Sequence, residues 1–206
     1  PTDVLIDYTL PGSVKAHVLT ALDQGVHAVV GTSGLTDADY AEIAAAAERR
    51  GAGVLAAGNF AISAVLLQHF AVLAARYLPS WELIDYGSAG KPDAPSGTAR
   101  ELAYRLAQVG RPEVKVPIAD TAGSPEARGL TLNGVQVHSL RLPGFVSSVE
   151  AIFGKPAERL SLRHDAGGDA ASYVDGTLLA VRRMGSFKGL KRGLDQLLDL
   201  GMPGLG

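Results

Sequence analysis

The sequence has no cysteine among its 206 residues. That excludes a disulfide framework, a thiolate nucleophile and a cysteine-based zinc site. It neither requires nor excludes secretion, so a reducing, cytoplasmic compartment is the default expectation. Charge of one sign is also missing: 19 basic side chains against 21 acidic ones leave a formal net charge of −2. A balance so near neutrality removes the global electrostatic case for nucleic acid or an anionic membrane surface as partner. No stretch reaches the roughly 18 uninterrupted apolar residues of a membrane span. The longest apolar run, residues 61–78, is broken by Gln68, His69 and Arg76 and reads as a buried helix. The five histidines, at 17, 27, 69, 138 and 164, form neither H-x-x-x-H nor H-E-x-x-H, so no metal site is expected. No nucleophile elbow is present, and the first residues carry no signal-peptide pattern.

What is present is an ordinary globular composition, 47% hydrophobic and 19% charged, in a chain long enough to bury a proper core. Over the first 80 residues short apolar runs alternate with helical periodicity. Residues 4–8, 27–31 and 54–57 read as strands. Between them lie a helix built on Val14, Val18, Leu19 and Leu22 and an alanine-rich helix introduced by Thr36-x-x-Asp39. Strand–helix alternation with short connections predicts right-handed βαβ units and a parallel sheet, which binds ligands at the carboxyl ends of its strands. After Pro79 the pattern changes. Residues 81–86 read as a strand, a helix follows Thr98, and three strand-like runs at 135–142, 145–153 and 159–165 predict an antiparallel or mixed sheet in a second domain. A helix over 170–184 and a shorter one near 190–200 are expected to close the chain.

Three groups of residues are chemically suggestive. In Lys91-Pro92-Asp93-Ala94-Pro95-Ser96-Gly97-Thr98 an ammonium stands just before Ser96 and Thr98, which can cap a helix with their hydroxyls pointing out of its start, and before Gly97, which lets a ligand approach the backbone. The segment suits an anion, but it also suits an ordinary capped helix. The turns after the first three strands, Tyr8-Thr9, Gly31-Thr32-Ser33-Gly34 and Gly58-Asn59-Phe60, suit a flat polar ring as well as plain chain reversal. Gly51-Ala52-Gly53-Val54-Leu55-Ala56 matches G-x-G-x-x-A, yet it ends a helix and opens a strand, the reverse of a dinucleotide turn, and reads as a helix C-cap. His138 and His164 read as hydrogen-bonded structural residues on strands.

Taken in order, these pieces resemble the dihydrodipicolinate reductase family. Ile6-Asp7-Tyr8-Thr9 is similar to its I-D-F-T, Val30-Gly31-Thr32-Ser33-Gly34 to V-G-T-T-G, and Ala57-Gly58-Asn59-Phe60-Ala61-Ile62 to A-P-N-F-S-I. Lys91-x-Asp93-Ala94-Pro95-Ser96-Gly97-Thr98 matches K-x-D-A-P-S-G-T, the most specific of the set. Val137-His138-Ser139-Leu140-Arg141-Leu142-Pro143-Gly144 and Leu162-Arg163-His164-Asp165 resemble its later strands. The resemblance implies an α/β fold: part of a Rossmann-type parallel sheet (residues 1–60), a mixed α/β substrate and tetramerisation domain with an open sheet (61–186), and a C-terminal helix returning to the first domain (187–206). It also implies hydride transfer from NADPH or NADH to a small cyclic unsaturated dicarboxylate, in a homotetramer. Tyr8, Thr9, Gly31, Ser33, Gly58 and Phe60 would lie by the cofactor. Lys91, Ser96, Gly97 and Thr98 would hold a substrate carboxylate, and Lys91 would donate the proton.

Two departures accompany the match. The family's E-x-x-H-H-x-x-K segment becomes Asp85-Tyr86-Gly87-Ser88-Ala89-Gly90-Lys91, so glycine and serine replace paired histidines and leave Lys91 with Tyr86 or Ser88 as helpers. The family's opening G-x-G-x-x-G turn does not occur in this sequence, and the expectation is of an additional segment ahead of Pro1. Two other readings are compatible with an anion pocket: a cofactor-free isomerase or cyclase, and a non-catalytic binding or assembly subunit.

Overall fold

A computed structural model describes residues 2–200. The described residues form two compact units, residues 2–65 with 171–200, and residues 66–170. In the first unit, strands β1 (Val4–Asp7), β2 (His27–Val30) and β3 (Gly53–Ala56) alternate with helices α1 (Val14–Asp23) and α2 (Asp37–Arg50). All pair in parallel, in the order β1-β2-β3, with a late strand β9 (Gly189–Arg192) beside β3. Period-2 alternation then divides the apolar residues between two faces. Ala28, Val30 and Val54 pack with Val14, Val18, Leu22 and Ile43 from α1 and α2. Val29 and Leu55 pack with Phe60, Ala180, Met184 and Leu194. Coverage of both faces explains why these strands read as continuous apolar runs.

The Thr36–Asp39 capping box forms as its spacing predicts: Thr36 Oγ1 accepts from Asp39 N at 3.2 Å, and Asp39 Oδ2 accepts from Thr36 N at 2.9 Å. Gly51 ends the same helix in the left-handed region at φ 64°. The G-x-G-x-x-A match is therefore a C-cap.

Two expectations are corrected in this unit. Residues 187–200 do not form the expected helix: they form β9 and then a short 3₁₀ turn over Leu194–Leu197, and the remainder of that expected element, residues 201–206, lies outside the described residues. Gly193, at φ 99°, interrupts the helical pattern, while the open edge of β3 offers backbone partners that a four-residue strand can satisfy. The helix α5 (Ala171–Arg183), expected in the second domain, belongs to the first unit because Ala180 is buried in its core. The observed divisions thus fall at 65/66 and 170/171 rather than at 60/61 and 186/187.

Helix α3 (Ile62–Ala75) leads into the second unit, which contains β4 (Ser80–Gly87), α4 (Gly97–Val109), β5 (Leu130–Leu132), β6 (Val135–Arg141), β7 (Ser147–Lys155) and β8 (Glu158–Ala166). The sheet order is β5-β6-β4-β7-β8, with β4 parallel to β6 and every other pair antiparallel. This is the expected mixed sheet plus one strand, β5, too short to announce itself. Trp81, Leu83 and Phe153 face the core with Leu102 and Leu106 of α4. The opposite face presents Glu82, Ile84, Tyr86, His138 and Glu150. On it Glu82 accepts from Arg128 at 2.7 Å and meets His138 Nε2 at 2.8 Å, so His138 is structural, as its setting suggested. Among the described residues, no helix is long and apolar enough to cross a membrane, and no three or more His, Asp or Glu side chains cluster so as to hold a metal ion.

Gly176 of α5 lies so close to Phe60 that a Cβ there would overlap the Phe60 carbonyl, whereas one on Gly185 would meet nothing within 4 Å. Gly176→Ala should therefore cost about 1–3 kcal/mol, read as a lowered urea midpoint, with Gly185→Ala as the near-neutral control. Equal midpoints for the two variants would refute this packing.

Candidate active site

In the second unit, the chain leaves β4 at Gly87, turns through a cis Ala94–Pro95 bond and enters α4 at Gly97. Ser96 is the N-cap: its Oγ accepts from Ala99 N at 3.3 Å and its own N–H donates to Asp85 Oδ2 at 2.8 Å. Asp85, fully buried, also accepts from Ser139 Oγ at 3.2 Å and Arg141 Nη2 at 2.7 Å. Burial pushes its pKa up, but the bonds from Ser96 and Arg141 outweigh that and leave it below the ordinary carboxylate value.

Arg141 gives its remaining donors to main-chain carbonyls, from Nε and Nη2 to Asp93 at 3.2 and 2.5 Å, and from Nη1 to Leu140 at 2.8 Å and Asp85 at 3.4 Å. It clamps the loop to β4 and has no fork left for a ligand. Lys91 Nζ pairs with Asp93 Oδ1 at 2.9 Å, and this bond to Lys91 lowers the Asp93 pKa.

The result is an arrangement with the groups an anion needs. A 13-residue helix presents its N-terminus at Gly97, where a Cβ would meet nothing within 4 Å, and a partly exposed ammonium stands on the same loop. The Ser96 hydroxyl does not point outward, as its place in the motif had suggested; it is buried as the cap, leaving Gly97 and Thr98 at the helix start. Tyr86 lies on the other face of β4, where it donates to Glu150 Oε2 at 2.8 Å and its ring lies under Arg163. It cannot assist Lys91 from there. At Gly87 a Cβ would stand 2.9 Å from Lys91 Cδ and 3.0 Å from Arg141 Cδ, so the two cationic side chains occupy the space that a larger residue would fill.

In the first unit, the turns at the carboxyl ends of β1 and β2 are tied together by one carboxylate. Asp7 Oδ1 accepts from Thr9 N at 3.1 Å, Thr9 Oγ1 at 2.9 Å and Thr32 Oγ1 at 2.6 Å, while Oδ2 meets His17 Nδ1 of α1 at 2.8 Å. Burial raises the Asp7 pKa, but the bonds from Thr32, His17 and Thr9 prevail and hold it at about 2. The Tyr8 ring lies against Gly31, where a Cβ would overlap it, and meets the Phe60 ring edge-on at 5.5 Å. Thr9, Ser33 and Gly58 are exposed at these turns, while Phe60 is buried in the core and reaches the surface only through Tyr8. Sequence reasoning missed Asp7, Thr32, Asp85 and Arg141 as supports. Each lies inside or beside a recognised motif, but nothing in the pattern shows which donors a buried carboxylate will collect.

Residues 63–198 match the family model described as dihydrodipicolinate reductase, C-terminus, and residues 1–60 match that described as dihydrodipicolinate reductase, N-terminus. A 4-hydroxy-tetrahydrodipicolinate reductase of Mycolicibacterium smegmatis is 44% identical over 97% of this chain and 81% of its own length. One from a Nostoc species is 41% identical over 96% of this chain and 71% of its own length. A solved dihydrodipicolinate reductase from Paenisporosarcina, bound to dipicolinate, superposes with a TM-score of 0.86 at 35% identity, covering 95% of this chain and 74% of that one.

Two outcomes test the supports. The Asp7 pKa lies below its unfolded value, so its contribution to stability is complete above about pH 4 and is lost as pH falls through about 2. The stability gap between the parent protein and Asp7→Asn should accordingly shrink across that window in urea titrations, and a pH-independent gap would refute the assignment. Arg141→Lys keeps the charge but loses the fork. It should speed hydrogen exchange at the Ser96 amide by about tenfold or more, and unchanged protection would show that Arg141 does not brace the loop.

Proposed function

This chain belongs to the dihydrodipicolinate reductase family, and we propose that it reduces 4-hydroxy-tetrahydrodipicolinate, or a close cyclic analogue, with NADPH or NADH to give tetrahydrodipicolinate for lysine and diaminopimelate synthesis. Overall the substrate takes up one hydride and one proton and releases water. The observation that carries the reading is the loop from Lys91 to Thr98, which couples a proton-bearing amine to a helix N-terminus in one continuous segment. In this reading Gly97 and Thr98 at the helix start bind one substrate carboxylate, and Ser96, expected to join them, supports them instead as the buried cap. The Lys91 ammonium binds the dianion and delivers a proton to the carbanion or enamine side of the reduced bond. Asp85 and Arg141 hold this geometry without touching substrate.

The cofactor fits the first unit. The half-exposed Tyr8 ring beside Gly31, the open backbone at Gly58, the exposed hydroxyls of Thr9 and Ser33 and the supporting ring of Phe60 make a surface for a flat amide-bearing ring. When bound, the nicotinamide supplies the hydride. Asp7 keeps the first two turns in register for it.

Assembly as a homotetramer through the outer face of the second unit's sheet is part of the same proposal. Ile84, Tyr86, His138 and Leu140 are only partly buried on that face, and the charged network around Glu82 and Glu150 gives it the mixed character of a protein interface. A monomeric mass in sedimentation experiments at micromolar concentration would overturn this part.

The principal test is NADPH oxidation by the purified protein with freshly generated 4-hydroxy-tetrahydrodipicolinate. Lys91→Ala should lower kcat by roughly 10²–10⁴-fold and weaken inhibition by dipicolinate. Near-normal turnover in that variant would remove Lys91 from the chemistry, and no oxidation by the parent protein would overturn the reductase reading.

A further inference from the structure

Tyr8 stands at the aromatic position of the first motif, but it carries a hydroxyl. That hydroxyl lies 2.7 Å from Thr177 Oγ1, on helix α5. Thr177 has one hydroxyl proton, and its Oγ1 donates to the Tyr173 carbonyl at 2.8 Å, one turn back on the same helix. The Tyr8 hydroxyl is therefore the donor and Thr177 the acceptor. Burial raises the Tyr8 pKa, which keeps the phenol protonated for this role.

The remaining contacts of the ring are equally specific. One side rests on Gly31, where any side chain would collide with it, and its edge meets Phe60. Gly176, next to Thr177, lets α5 come into contact with the Phe60 carbonyl. Consecutive residues of α5 thus meet both aromatic positions of the strand-end turns, the Phe60 main-chain carbonyl at Gly176 and the Tyr8 hydroxyl at Thr177. Tyr8 nevertheless remains 51% exposed. A half-exposed aromatic ring ordinarily rotates about χ1 and χ2; this one is tethered at its far end.

We propose that Thr177 is a positioning residue for the cofactor: by accepting the Tyr8 hydroxyl it holds the Tyr8 ring against Gly31 as a fixed platform on which the nicotinamide ring packs. The inference rests on the reading of Tyr8 as a cofactor contact. Its physical content is pre-organisation, since a ring already locked loses no rotamer freedom when the ligand arrives. Thr177 touches no substrate or cofactor, and its effect passes entirely through Tyr8.

The test is a double-mutant cycle of Tyr8→Phe and Thr177→Val, read by fluorescence titration with NADPH and, in parallel, with 2′-phospho-ADP-ribose, which lacks the nicotinamide. Each single variant should weaken NADPH binding by about three- to tenfold, and the double variant should be no weaker than either single one. Affinity for 2′-phospho-ADP-ribose should stay within twofold in all three, which general damage to the fold would not allow. Thr177→Ser, which restores an acceptor, should recover the parent affinity. Unchanged NADPH affinity in the single variants, or effects that multiply in the double variant, would overturn the tether while leaving the reductase reading intact. Tighter NADPH binding on release of the ring would show that Tyr8 closes the site and would also overturn the platform. Failure of the parent protein to bind NADPH at millimolar concentration would instead overturn the cofactor reading, and this inference with it.

Discussion

A carboxylate removed from water must collect donors or give up its charge, and each unit of this protein is organised around one such group. Asp85 draws the Ser96 amide, the Ser139 hydroxyl and the Arg141 guanidinium to itself, and through Arg141 it secures the Asp93 carbonyl. The start of α4 and the position of Lys91 follow from that arrangement. Asp7 does the same for the first unit with Thr9, Thr32 and His17, so the ends of β1 and β2 and the flank of α1 are fixed relative to one another. At Asp85 all three donors converge on Oδ2, and the buried Oδ1 is left without a hydrogen-bond partner.

Glycine completes the arrangement by letting side chains or main chain come close to its backbone. At Gly31 the guest is Tyr8, at Gly87 it is Lys91 with Arg141, and at Gly176 it is the Phe60 carbonyl. Gly87 bears most directly on chemistry. Where the family motif has a histidine, this chain has no side chain, and two cationic chains cross the vacated space. With Tyr86 committed to Glu150 on the far face, it is not a helper for Lys91, whose ammonium is the proton-bearing group in the proposed reading. The charged groups on this loop are consequently lysine and its Asp93 partner rather than an imidazole.

Local signals that depend on nearby residues were legible in the sequence. The Thr36–Asp39 box, the Gly51 cap, the Ser96 cap and the apolar runs of β1, β2 and β3 all appear where spacing placed them. The failures share a cause. Residues 189–197 have leucines that suit a helix, but the free edge of β3 claimed them as a strand. Helix α5 was legible as a helix, yet its periodicity could not say which core would bury Ala180. Of the site, the motif residues could be named, while Ser96 was expected to aim its hydroxyl outward and Tyr86 to stand beside Lys91; both depend on which face of an element meets the core.

The sequence by itself determined the family, the element types over most of the chain and the residues able to hold an anion, because these rest on periodicity, capping and ordered short motifs. Only the tertiary structure decided which of those residues support and which present. Arg141 makes its hydrogen bonds to a strand and a loop brought near by the register of β4 with β6. Thr177 meets Tyr8 across 169 residues of chain. Contacts at such separation are set by how sheets and helices bury their apolar faces, a choice made by the whole core and invisible in any local stretch of sequence.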